Sequence, residues 1–71
     1  MKDTFLYNFG SLKDNQTMSI QFMNGHGVVL TNEADVAVIT GAEGRLVSIL
    51  TQENILIKVP FNNICYWIIT E

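Results

Sequence analysis

The sequence predicts an all-β domain: a small five- or six-stranded antiparallel barrel with a short N-terminal helix. Three observations predict it. From Thr17 onward apolar residues recur at period two, as in Met18, Ile20 and Phe22, which is the repeat of a half-buried strand. Breaks rich in Gly and Asn separate the runs. No stretch between them is long enough for a crossover helix, so hairpins must join the strands in antiparallel order.

The elements follow in order. Residues 3–12 read as one short helix, because Phe5, Phe9 and Leu12 fall at i, i+4 and i+7. Asp3 can accept from its first free N–H groups, and Gly10 can stop it. Residues 17–70 carry the strands. Thr17 to Phe22 is the first, and Asn24-Gly25-His26-Gly27 is a hairpin signal, since Asn and Gly both tolerate positive φ. Val28 to Thr31, Val36 to Thr40, Arg45 to Thr51 and Ile55 to Val59 follow, separated by polar or Gly-rich turns. Pro60 removes a ladder donor, so Pro60 to Asn63 reads as a short helical turn before the final strand, Ile64 to Thr70.

The last third is apolar on both faces. Leu46 and Leu50 oppose Val47 and Ile49, and Leu56 opposes Ile57. Ile64, Tyr66 and Ile68 oppose Cys65, Trp67 and Ile69. One small domain has one interior, so a second copy of the chain is the simplest cover for the other face. Leu56, Cys65, Trp67 and Ile69 are the expected interface residues.

Size points the same way. Seventy-one residues make a single domain, 1–71, and a chain this short is marginal alone. Its one Cys and one His cannot supply a disulfide or a four-ligand zinc site. Oligomerisation is the remaining device. Four Lys and Arg against seven Asp and Glu disfavour RNA, whose phosphates need clustered cations. No apolar run approaches the about 20 residues of a membrane span, and no signal peptide is visible, so the expected compartment is the cytoplasm.

Enzyme chemistry finds no support. His26 has no nucleophile beside it in the sequence, and Cys65 sits in an apolar strand with no adjoining cation. Glu33 and Asp35 are too few for a calcium site. The expectation is no catalytic residue, no metal and no cofactor. The best binding candidates are Asn54, Phe61, Asn62 and Asn63, joined by Arg45 and Lys58 if symmetry converges them. Aromatic rings can stack on bases and amides can read their edges. The competing reading makes Phe61 a plug for one barrel end and the Asn residues turn formers.

Thr17 to Gly25, ending in Asn24-Gly25, looks like the first strand and turn of the Sm-like family. Glu53 to Pro60 resembles its second motif, in which a turn Asn precedes an alternating strand. Ile64 to Ile69 is similar to the strand that pairs with the next subunit in family rings. The resemblance, to the kind that includes bacterial Hfq and small phage proteins, implies a barrel, ring assembly and an RNA pocket. At the pocket positions, Asp35 is followed four residues later by Ile39, and Thr51-Gln52 stand in place of Arg-Gly. Only Asn54 carries over. Three functions therefore stand: a non-enzymatic oligomeric module that binds a protein, an Sm-like RNA-binding ring, or a phage-type oligomer holding a nucleotide-like ligand between subunits.

Overall fold

Helix α1 spans Thr4–Gly10, within a computed structural model that describes residues 4–71. The Asp3 cap lies outside the described residues. The helix is shorter than residues 3–12, but its last turn is carried on by backbone bonds. Ser11 donates to the Tyr7 carbonyl at 3.1 Å, and Leu12 to that of Phe9 at 3.1 Å. Phe5 is fully buried and Leu12 nearly so.

Six strands follow: β1 (Thr17–Phe22), β2 (Gly27–Leu30), β3 (Asp35–Gly41), β4 (Gly44–Leu50), β5 (Leu56–Pro60) and β6 (Ile64–Thr70). A 3-10 turn, Phe61–Asn63, joins the last two. All pairings are antiparallel. The strands form two three-stranded sheets, ordered β2-β1-β6 and β3-β4-β5, rather than one closed barrel. The chain bends between β2 and β3, where Ala34 donates to the Thr31 carbonyl at 3.1 Å. Gln52 ties the sheets across that bend. Its amide nitrogen donates to the Val29 carbonyl at 3.1 Å and its oxygen accepts from the Thr31 N–H at 3.3 Å.

Residues directly opposite across a ladder share a face. In the first sheet Met18 pairs with Leu30 and Ile69, and Ile20 with Val28 and Trp67; these rows face the core. In the second, Val38–Val47–Val59 and Val36–Ile49–Ile57 are the inward rows. Val47 and Ile49 are fully buried, so the sequence pattern reported the right inner face for β4. The outer face of this sheet carries Ile39–Leu46–Pro60 and Asp35–Leu50–Leu56, separated by Ala37–Ser48–Lys58.

Two local readings are corrected. The first hairpin is not a two-residue Asn-Gly turn. Phe22 N–H donates to the His26 carbonyl at 2.8 Å and Gly25 N–H to the Phe22 carbonyl at 3.2 Å. That is a three-residue loop with a glycine in the left-handed region, here Gly25 at φ 92°. The other concerns β6. Gln21 pairs with Tyr66 but Phe22 pairs with Ile64, so Cys65 is an extra, bulged residue. The bulge turns Ile64 and Trp67 to the same side, both packed on the core. Tyr66 and Ile68 are the residues left outside, each about half exposed. Trp67, expected at the interface, lies instead against Phe5, ring centres 5.0 Å apart.

Candidate functional site: an open strand edge and a basic groove

The sheet order leaves β5 and β6 each as an edge strand. Which backbone groups they offer follows from the alternation of antiparallel ladders. Thr51 N–H donates to the Ile55 carbonyl at 2.9 Å, so the groups of Ile57 and Val59 turn toward β4. Those of Leu56 and Lys58 turn away. By the same count from the Phe22–His26 bond, Gln21, Ser19 and Thr17 bond toward Tyr66, Ile68 and Thr70. The backbone groups of Trp67 and Ile69 then face outward.

The two edges differ in character. β5 is five residues long, carries Lys58, and ends at Pro60, which has no N–H. Charged side chains and proline are the usual means of blunting an edge. β6 runs seven residues, Ile-Cys-Tyr-Trp-Ile-Ile-Thr, without charge or proline. Cys65, Tyr66, Ile68 and Ile69 are exposed along it. Leu56, also expected at an interface, is exposed on β5.

Between β5 and the first hairpin lies a groove of about 250 Å³, lined by Phe22, Asn24, His26, Ile57, Lys58, Val59 and Asn63. Three consecutive β5 residues line it, and no β4 residue does, so it opens on the outer edge of that strand. Its far wall is held in place by backbone bonds. Met23 N–H donates to the Asn63 carbonyl at 2.7 Å, linking the hairpin to the 3-10 turn. The Asn24 side-chain oxygen accepts from the His26 N–H at 3.0 Å.

The six expected ligand residues do not form one site. Lys58 and Asn63 line the groove. Asn62 is exposed in the 3-10 turn. Asn54 sits in the β4–β5 loop at φ 68°, and its N–H donates to the Thr51 carbonyl at 2.9 Å. There it performs the job asparagine does best, occupying the left-handed region without a glycine. Phe61 packs edge-on to Phe5, ring centres 6.0 Å apart, and the Arg45 guanidinium lies 4.2 Å over its other surface. Arg45 also lines a more open cavity of about 480 Å³ at the β3–β4 tip, with Glu43 beside it. The sequence reading did not single out Phe22, Asn24, Ile57 and Val59 as site residues, and it left His26 as a loop residue. Their convergence depends on how the two sheets meet, which no local pattern reports.

Among the described residues no group of three His, Cys, Asp or Glu is placed to hold a metal ion. No described helix is long and apolar enough to cross a membrane. No family model, curated protein or solved structure matches the chain.

Proposed function

We propose that the protein is a non-enzymatic interaction module that works as a homo-oligomer, with β6 as its docking element. The observation that carries this reading is the seven-residue edge of β6, uncharged and free of proline, beside exposed Tyr66, Ile68 and Ile69. An edge of that kind invites another strand. A neighbour's strand would satisfy the outward groups of Trp67 and Ile69 and cover apolar side chains in the same step. The two sheets are the halves of an open, Sm-like barrel in this reading, with the gap between β5 and β6.

The neighbour's contribution is its own β6 or its β5. Pairing β6 with β6 is isologous and stops at a dimer, whereas β6 on β5 is heterologous and closes a ring. The blunted edge of β5 favours the dimer. RNA binding is the weaker reading, since Arg45 and Lys58 lie at separate places on a chain of net charge −3. The test is an Ile68→Lys variant examined by size-exclusion chromatography with light scattering. A shift of the oligomer toward monomer or aggregate supports the reading. An unmodified protein that is already a soluble monomer overturns it.

A further inference from the structure

We propose that the groove between β5 and the β1–β2 hairpin binds a small organic anion, with an apolar ring laid on Phe22, Ile57 and Val59 and an acid group at Lys58. The composition of the lining carries the first part of the argument. The chain has seven Asp and Glu, and none lines the groove. Of its four Lys and Arg and single His, two line it, Lys58 and His26. A chain of net charge −3 thus sets a basic side chain and an imidazole around one small opening.

The hydrogen-bond inventory carries the second. Several acceptors that border the groove are already occupied: the Asn24 side-chain oxygen by His26 N–H, the His26 carbonyl by Phe22 N–H, and the Asn63 carbonyl by Met23 N–H. The Asn24 amide nitrogen therefore remains as a donor. Lys58 adds its ammonium and, by the ladder alternation, an N–H turned away from β4. Donors outnumber acceptors, which is the lining an oxyanion requires. The apolar wall supplies a surface for a ring rather than for bare inorganic phosphate.

Size bounds the ligand. At about 250 Å³ the groove lies just under the range of drug-sized pockets. It admits one ring system bearing a single carboxylate or phosphate, and excludes a nucleoside triphosphate. The proposal is independent of the assembly reading, because all seven lining residues come from one chain.

The experiment is a titration of the whole 15N-labelled protein with phenyl phosphate, benzoate and neutral benzyl alcohol, followed by amide chemical shifts. Saturable shifts at residues 24–26, 57–59 and 63 with either anion are the expected result. Whichever anion binds tighter identifies the acid group. Lys58→Gln should weaken the anion about tenfold, the scale of one charge-assisted hydrogen bond. Asn24→Asp, which places a carboxylate in the lining, should weaken it as well. Both positions are exposed, so the variants keep the fold, and the amide spectrum shows that they do. Binding of benzyl alcohol as tight as the anions, shifts elsewhere in the chain, or unchanged affinity in Lys58→Gln would overturn the proposal.

Discussion

The Phe5 ring meets Trp67 edge-on at 5.0 Å, with an interplanar angle of 72°. This contact joins the first element of the described chain to its last strand. Phe5 also meets Phe61 at right angles, so one helix residue closes the end of the core between the two sheets. Edge-to-face geometry sets the positive ring edge against the negative face and adds to the burial energy.

Phe5→Ala should therefore cost about 3–5 kcal/mol, the usual range for deleting a buried aromatic ring. Stabilities of whole domains are only about 5–15 kcal/mol, so most of the fold's margin should disappear. Urea denaturation gives the loss, and Trp67 fluorescence should shift to the red in the same variant. Phe5→Leu should retain the fold with a smaller loss.

Strand and turn positions were legible in the sequence because period-two runs and Gly, Pro and Asn breaks are local signals. Pro60 correctly marks the 3-10 turn, and the final strand begins at Ile64 as read. What the sequence hid is nonlocal. A single bulged residue, Cys65, inverted the face of Trp67 relative to a strict alternation. The separation into two sheets depends on the bend at residues 31–34. The groove needs both sheets in place before Lys58 and His26 become neighbours in one lining.

Asn54 tests the turn argument. At φ 68° a β-branched residue is penalised by the contact of its Cβ with the following carbonyl, about 1–2 kcal/mol. Asn54→Val should lower stability by that amount, and Asn54→Gly should be close to neutral. Chemical denaturation of the two variants side by side measures the difference.

Gly27 is constrained by space instead. A Cβ built there would lie 2.8 Å from the Ile20 carbonyl oxygen, a backbone atom of a central strand that has little room to move. Gly27→Ala should destabilise the protein by about 1–3 kcal/mol, the range of an overpacking substitution. Thermal melting is the measurement. Gly25→Ala should also lose stability, through its positive φ rather than a clash, since its Cβ would meet nothing within 4 Å.

Gln52 links the sheets through both ends of its amide. Gln52→Ala should cost about 1–2 kcal/mol, from two partly shielded hydrogen bonds. Hydrogen exchange should quicken at the Thr31 amide, which loses its acceptor.

The central claim is that β6 is a docking edge, and subunit number is its most direct measure. Native mass spectrometry of the unmodified protein at micromolar concentration should show a homo-oligomer, with the dimer favoured and a closed ring as the form that uses β5 as well. A folded, soluble monomer at that concentration would contradict the account, because the β6 edge and its exposed Tyr66 and Ile68 would then be stable in water without a partner.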